Sequence, residues 1–259
     1  PHGPLPTPQN YGVLAALYFV AASASLLFFN QVNEPPDETV GTRTAFFAQL
    51  RRAVAYLKQD ISYRRFITMQ SMMTVAGSAT PFFAVFVQQS LGGSKAMVGV
   101  YLGVITVTNL LGNILFGRMS RRLGNRQVMI WATMIGLSMS LLVTLLAVFG
   151  RDLGVAGRAA DLALVPVFIL SGLRGTGIGV SANSLLLDLT PVGERSLYLG
   201  FYNTFFGLVM LATFTSGLVL SLIGFAGLAA LTLAAHLLAL LAAQRIHSPV
   251  FVEPAAEAR

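Results

Sequence analysis

Long apolar runs separated by short polar segments dominate the chain. A helix needs about 20 mostly apolar residues to cross a hydrocarbon layer of roughly 30 Å. Seven runs are long enough, and they occupy residues 11–29, 66–88, 96–117, 128–149, 162–187, 197–219 and 225–243. The pattern predicts an all-α membrane protein with seven transmembrane helices, surrounded by membrane lipid. Pro81 predicts a kink in the second run, because proline lacks a backbone N–H.

The polar segment 30–65, between the first two apolar runs, is too long for a simple connection. Within residues 44–59, apolar side chains such as Phe46, Leu50 and Val54 recur at helical spacing. This periodicity predicts an amphipathic helix that lies on the membrane surface. The alternative is an ordinary solvated linker helix.

Arginine is concentrated in the short polar segment between the third and fourth runs. Arg118, Arg121, Arg122 and Arg126 fall within nine residues, with no acidic residue among them. Basic loops lie predominantly on the cytoplasmic side of a membrane. With this loop inside, 13 of the 17 Lys and Arg residues fall in the inside segments 30–65, 118–126, 188–196 and 244–259. The chain is therefore predicted to be an integral membrane protein with its C-terminal tail in the cytoplasm.

The composition agrees with a membrane protein and narrows its chemistry. Only 10% of the 259 residues are charged, against roughly 25% in a soluble domain. The net charge of +7 lies in loops between apolar runs, so membrane orientation explains it better than a nucleic-acid partner does. The absence of cysteine excludes disulfides, thiolate metal sites and cysteine nucleophiles.

The basic loop reads Gly-Arg-Met-Ser-Arg-Arg-Leu-Gly-Asn-Arg and resembles the gating-loop motif of the major facilitator superfamily, Gly-x-x-x-Asp-Arg-x-Gly-x-Arg. Gly117, Arg122, Gly124 and Arg126 fall on the pattern, whereas Arg121 stands where the family has an acid. In the family that acid pairs with neighbouring helix ends to hold one gating state. The departure at Arg121 puts this role in doubt here.

The resemblance implies a domain organisation, because the family places this loop between the second and third helices of each six-helix half. Residues 1–29 are then expected to hold the last helix of a truncated N-terminal half, and residues 30–65 the cytoplasmic linker with its amphipathic helix. Residues 66–243 would form the C-terminal six-helix bundle, followed by a cytoplasmic tail at 244–259. The missing N-terminal half of the same transporter is an expected partner, and the plasma (inner) membrane is the expected location.

Arg174 is the one Lys or Arg inside an apolar run, where a charge costs roughly 2.5–3.5 kcal/mol on insertion. It lies among four glycines in Gly-Leu-Arg-Gly-Thr-Gly-Ile-Gly, which let another helix or a substrate approach the backbone. One interpretation is that Arg174 holds an anionic group of a small-molecule substrate. The other is that it pairs with backbone carbonyls or with an acid of the missing half.

Further candidate substrate-binding residues follow from the resemblance, which implies a cavity lined by the second, third, fifth and sixth runs. The polar residues of those runs include Gln70, Asn109, Asn183, Tyr202 and Asn203. Uncharged hydrogen-bonding groups of this kind can orient a small molecule. The alternative is that each bonds its own helix or a neighbouring one.

Groups for proton coupling are sparse, because no acid lies inside a run. Asp161 and Asp188 flank the fifth run, where a carboxylate is expected to be solvated. His236 lies in the seventh run, which the resemblance places at the periphery, and it is expected to be a packed or lipid-facing neutral side chain.

The leading prediction is a secondary active transporter of a small solute that works by alternating access. The alternative is a seven-span receptor or photoreceptor, although a retinal Schiff base needs a lysine in a span, and Lys58 and Lys95 lie outside the runs. An intramembrane enzyme is not expected, since no metalloprotease or serine-hydrolase motif is present. No cofactor and no metal site is predicted, and the glycines around Arg174 follow no strand as a dinucleotide loop would.

Overall fold

A computed structural model describes residues 9–31 and 46–247, and all of the regular structure within them is helical. The all-α prediction is confirmed. Residues 1–8, the first part of the linker and most of the C-terminal tail lie outside these residues. The helices are α1 (Gln9–Phe29), α2 (Phe46–Gln59), α3 (Ile61–Gly77), α4 (Thr80–Ser90), α5 (Met97–Leu123), α6 (Asn125–Phe149), α7 (Arg158–Leu189), α8 (Arg195–Thr213) and α9 (Ser216–Gln244), with a 3₁₀ turn at Val192–Glu194.

The chain divides into two compact units, residues 1–44 and residues 45–259. In the first unit the structure describes α1, whose apolar side chains are mostly exposed. In the second unit, α2 to α9 pack into one bundle in which α7 contacts α3, α4, α5 and α6. The site residues discussed below all belong to this second unit.

Six segments among the described residues are long and apolar enough to cross a membrane. One of them combines α3 and α4, and the others are α5, α6, α7, α8 and α9. Helix α1 contains a shorter apolar stretch at Ala15–Phe29. The six segments correspond to the second to seventh apolar runs of the sequence, whereas the first run is represented only by the shorter stretch in α1. The sixth run, 197–219, is divided between α8 and α9, and Gly224, with φ 69° and ψ −178°, interrupts α9 between the sixth and seventh runs.

The second run is interrupted just before Pro81, where the sequence predicts a kink. Helix α3 ends at Gly77 and α4 begins at Thr80, with Pro81 in its first turn. Pro81 has no N–H to donate to the carbonyl of Gly77 four residues earlier, so the helical hydrogen bonding stops there. Ser78 spans this break, because its hydroxyl donates to the Val75 carbonyl at 2.7 Å.

Two apolar clusters hold the bundle together. One contains Tyr63, Phe66 and Met69 of α3 packed against Tyr198 and Tyr202 of α8, and Tyr63 Oη donates to the Tyr198 carbonyl at 2.9 Å. The other cluster joins α4, α5, α6, α7 and α9, with the rings of Tyr101 and Phe168 stacked at a centroid distance of 4.5 Å.

Two of the four glycines around Arg174 permit close helix packing. A Cβ at Gly172 would lie 2.9 Å from the Cβ of Thr108 on α5, and one at Gly177 would lie 2.8 Å from the Cβ of Ala132 on α6. Gly175 and Gly179 face open space instead. The glycine cluster therefore fits α7 between two neighbours on one side and leaves its other side uncovered in this chain.

The amphipathic helix predicted in the linker is present as α2. It packs at the start of α8, where Tyr56 Oη donates to Glu194 Oε1 at 3.2 Å and Arg52 Nη2 lies 3.4 Å from the same oxygen. The rings of Tyr56 and Tyr198 lie 5.3 Å apart. These contacts attach α2 to the helical bundle, and its position on a membrane surface stays a prediction.

Candidate functional site: a buried arginine and a polar uncovered face

Arg174 lies at the middle of α7 and reaches across to α3. Its Nη1 donates to the carbonyl oxygen of Met73 at 3.1 Å. Met73 is in the last turn of α3, just before the break. The Nε of Arg174 is fully buried and has no hydrogen-bond partner among the described residues. The sequence left two roles open for Arg174, namely binding an anionic group of a substrate, or pairing with backbone carbonyls or an acid of the missing half. The contact with Met73 agrees with pairing to a backbone carbonyl, and the substrate role stays a prediction.

Two glycines on other helices form the slot that holds this side chain. A Cβ at Gly77 of α3 would lie 2.6 Å from Arg174 Nη2, and a Cβ at Gly136 of α6 would lie 2.9 Å from Arg174 Cδ. Real Cβ atoms do not approach other atoms so closely. The extended arginine therefore fits between α3 and α6 because both positions lack a side chain.

His236 of α9 lies against the same glycine of α6. The side chain is fully buried, and a Cβ at Gly136 would lie 2.5 Å from its Nε2. Nδ1 lies 3.0 Å from the Thr232 carbonyl and 2.6 Å from Ser140 Oγ. Nδ1 thus faces a carbonyl, which only accepts, and a hydroxyl, which can donate or accept, so the tautomer of the ring decides its role. Nε2 has no partner in the part of the chain described.

Gln70 and Tyr202 are brought together at the interface of α3 and α8. Both are buried, with 3% and 6% of their surface exposed. Gln70 Nε2 donates to Tyr202 Oη at 3.1 Å, while Gln70 Oε1 has no partner within the described residues. The pair thus presents one buried acceptor that no described residue satisfies.

Asn109 makes the corresponding contact between α5 and α7. Thr176 Oγ1 donates to Asn109 Oδ1 at 3.0 Å, and the asparagine is partly exposed. The contact between Asn109 and Thr176 therefore joins the third run to the fifth, and the contact between Gln70 and Tyr202 joins the second run to the sixth. Asn183 on α7 and Asn203 on α8 are exposed, and no hydrogen bond of the described residues joins them to these contacts.

The uncovered faces of the helices differ in polarity. On α6 and the second part of α9 the exposed side chains are predominantly apolar, including Trp131, Met134, Leu141, Leu145, Leu237, Leu238 and Leu241. On α7 the exposed residues include Gly175, Gly179 and Asn183. On α8 they include Gly200, Asn203 and Gly207, together with the apolar Leu208 and Leu211. Leucine-rich faces suit lipid, whereas an asparagine amide in hydrocarbon leaves its hydrogen bonds unsatisfied.

The gating-loop motif lies at the junction of α5 and α6. Its residues 117–123 belong to α5, and Gly124, with φ 83°, forms the tight turn between the two helices. Arg126 Nε donates to the Ile246 carbonyl at 2.6 Å, and its Nη2 donates to the Gln244 carbonyl at 2.9 Å. Both acceptors lie at the end of α9. Arg121 and Arg122 are exposed, and the position of a Cβ at Gly117 is open.

An acid does reach this turn, although the sequence analysis did not assign it. Asn125 Nδ2 donates to Asp188 Oδ2 at 2.8 Å, and Ser120 Oγ donates to Asn125 Oδ1 at 2.6 Å. Asp188, at the end of α7, was expected to be solvated, and it is exposed but bonded to the turn. Its position in a neighbouring polar segment, predicted to lie on the same side of the membrane, was the one sequence feature that pointed to this contact.

The expectation for Asp161 was wrong. This carboxylate is 5% exposed rather than solvated. Both of its oxygens lie 3.1 Å from the backbone N of Ser94, and Tyr101 Oη lies 3.4 Å from Oδ1. Asp161 lies in the first turn of α7, and these bonds hold the connection between α4 and α5. The sequence did not show the contact, because Ser94 and Tyr101 are far from Asp161 along the chain.

No group of three metal-ligating side chains occurs in residues 9–31 and 46–247. Comparison with known families gives one finding: the family model described as Major Facilitator Superfamily matches residues 8–214 and residues 65–257. A search of curated proteins found no match, and neither did a search of solved structures.

Proposed function

Because the chain belongs to the major facilitator superfamily and is thus a membrane transporter, we propose that it moves a small solute by secondary active transport with alternating access. Proteins of this family generally catalyse no chemical reaction on their solute. In this mechanism two helical bundles rock about a site near the membrane midplane, so that the site opens to each side in turn.

The observation that carries the proposal is the polar face of α7 and α8. Asn183 and Asn203 are exposed on helices whose length and composition place them in the membrane. Polar side chains inside a membrane face the bundle interior or a water-filled cavity rather than lipid. The face that carries these two asparagines is therefore proposed to line the solute pathway.

Gln70, Tyr202 and Asn109 are proposed to orient the solute beside this face. Gln70 Oε1 is an acceptor that the described residues leave unpaired, and a hydrogen-bond donor of a solute would satisfy it. Asn109 is partly exposed and keeps its amide NH₂ for a ligand, since its Oδ1 accepts from Thr176. Arg174 favours an anionic solute, as its charge has no acidic partner among the described residues.

The proposal includes a second helical half and a defined orientation. One six-helix bundle at residues 66–243 lines one side of a cavity, so an N-terminal half completes the site. The concentration of arginine at the turn between α5 and α6 supports a cytoplasmic location for that turn and for the C-terminus. The plasma (inner) membrane is the proposed location.

Labelling of single cysteines from each side of the membrane tests this function. The chain has no cysteine of its own, so Asn203→Cys provides one thiol on the proposed pathway. Ser138→Cys is the matched control, because Ser138 is an exposed polar residue on the leucine-rich face of α6. We expect a membrane-impermeant maleimide to modify Asn203→Cys when added on either side, and to leave Ser138→Cys unmodified.

Modification of Asn203→Cys from one side only would contradict alternating access. Equal resistance of both variants would contradict the polar pathway itself, since it would place Asn203 in lipid. Equal modification of both variants would contradict the assignment of the two faces, because a residue on the leucine-rich face would then be as accessible to water as Asn203.

A further inference from the structure

Arg174 lies beside the end of α3, and this position can be explained without reference to any solute. The last carbonyls of a helix have no partner within that helix. In a membrane, water does not replace the missing donors, so an exposed helix end inside the bilayer is costly. Helix α3 ends at Gly77 within a membrane-spanning segment, where Pro81 removes the next donor.

Arg174 places a positive charge at this helix end. Its guanidinium lies beside the Cβ position of Gly77, the last residue of α3. Its Nη1 donates to the Met73 carbonyl at 3.1 Å, which is a second bond to a carbonyl that also accepts from the Gly77 amide within the helix. The C-terminus of a helix carries a partial negative charge, and a cation there is stabilising.

The neighbours of Arg174 restrict it to this position. Gly136 leaves room for the arginine stem on the side away from α3, since a Cβ there would lie 2.9 Å from Arg174 Cδ. His236 closes the same space from α9, and its ring is fixed by Ser140 and Thr232. The Nε2 of His236 and the Nε of Arg174 are both buried and have no hydrogen-bond partner in the described structure.

We propose that Arg174 caps the end of α3 from the neighbouring helix α7 and thereby holds the break between α3 and α4, with Gly136 and His236 acting as positioning residues for Arg174. Opening of the break then requires withdrawal of the arginine. This inference concerns the conformation of α3 and α4, and it holds whichever solute the protein carries.

A thiol placed at the break reports on this cap without any transport assay. Ala79 is 1% exposed and lies directly between α3 and α4, so Ala79→Cys reacts with a maleimide only when the break opens. Loss of a hydrogen bond from a charged donor is worth about a tenfold change in such an opening equilibrium. We expect Arg174→Gln and Gly136→Ala, each combined with Ala79→Cys, to label about tenfold faster than Ala79→Cys alone.

Gly99→Ala is the matched control, because Gly99 is also a helical glycine and no atom lies within 4 Å of its Cβ position. When Gly99→Ala is combined with Ala79→Cys, labelling of the thiol is expected to stay within about twofold of that of Ala79→Cys alone. The gain in helix propensity is the same as for Gly136→Ala, so propensity alone would not explain a difference between the two variants. Gly77→Ala provides a second substitution in the slot in case Gly136→Ala does not fold. Hydrogen–deuterium exchange of amides 74–82 in Arg174→Gln gives a reading without a thiol.

Unchanged labelling and unchanged exchange in folded Arg174→Gln would overturn the proposal. An equal increase in Gly99→Ala would overturn it as well, because the effect would then not be specific to the slot. A variant that loses solute affinity but keeps slow labelling at residue 79 would assign Arg174 to the solute alone. The two-sided labelling of Asn203→Cys remains a separate reading of the transport function.

Discussion

Arg126 and Arg174 make the same kind of contact in two different regions of the molecule. Arg126, in the turn between α5 and α6, donates to the carbonyls of Gln244 and Ile246 at the end of α9. Arg174, at the centre of α7, donates to the Met73 carbonyl in the last turn of α3. Each arginine serves the C-terminal end of a helix other than its own.

The surroundings of the two arginines decide how much each contact matters. Water reaches a helix end at the membrane surface, so it can replace the donors of Arg126. Inside the membrane water does not replace the additional donor and the positive charge that Arg174 brings to the end of α3. The comparison therefore predicts a large effect when the buried contact is removed and smaller effects at the surface.

Arg174→Gln should have the largest effect, namely the loss of transport by a protein that still inserts in the membrane. Glutamine is shorter and uncharged, so it neither reaches the α3 carbonyl nor attracts an anion. The measurement is solute uptake by membrane vesicles, with the amount of inserted protein determined in parallel. Wild-type uptake by this variant would exclude both roles of Arg174.

Gly136→Ala should have the next largest effect, a loss of about 1–3 kcal/mol in the free energy of unfolding from overpacking. The added methyl group would meet His236 and the stem of Arg174. Thermal unfolding in detergent measures this loss. Gly99→Ala, with open space around its Cβ position, should unfold at the same temperature as the wild type or slightly above it. Identical melting of both variants would show that the slot is not tight.

Arg126→Ala should lower the free energy of unfolding by only about 1 kcal/mol, because water can bond the carbonyls of Gln244 and Ile246 in its place. Exchange of the last amides of α9 should increase in the same variant. The control is Arg122→Ala, since the Arg122 side chain is exposed and its removal should leave that exchange unchanged. A loss as large as that of Gly136→Ala would contradict the distinction between surface and interior.

Arg52→Ala should have the smallest effect, about 0–1 kcal/mol, because exposed ion pairs contribute little. Arg52 and Glu194 lie 3.4 Å apart with 57% and 32% of their side-chain surfaces exposed. Salt should reduce the difference between variant and wild type further. Tyr56→Phe removes the uncharged bond to the same carboxylate and provides the comparison, since its effect should not depend on salt.

The fold was largely predictable from the sequence, because the membrane imposes a strong constraint on helix length and composition. The apolar runs, the turn at Gly124, the break beside Pro81 and the helix in the linker all follow from local patterns. The exposed face with Asn183 and Asn203 was partly predictable, since polar residues inside apolar runs are conspicuous.

The contacts of Arg174 were not predictable, because they depend on residues far apart in the chain. The sequence analysis considered the glycines next to Arg174, whereas the slot is formed by Gly77 and Gly136 on other helices. The same limitation applies to Asp161, whose partners are Ser94 and Tyr101. A single sequence shows which residues are unusual but does not show which helix faces which.

Solute uptake before and after modification of a single cysteine tests the central claim most directly, namely that the polar face of α7 and α8 lines a transport pathway. Vesicles that contain Asn203→Cys or Ser138→Cys are treated with a maleimide that crosses membranes, and uptake of the transported solute is then measured. The account predicts that modification at residue 203 blocks uptake and that the same treatment of Ser138→Cys has no effect. Full modification at residue 203 with unchanged uptake would contradict it.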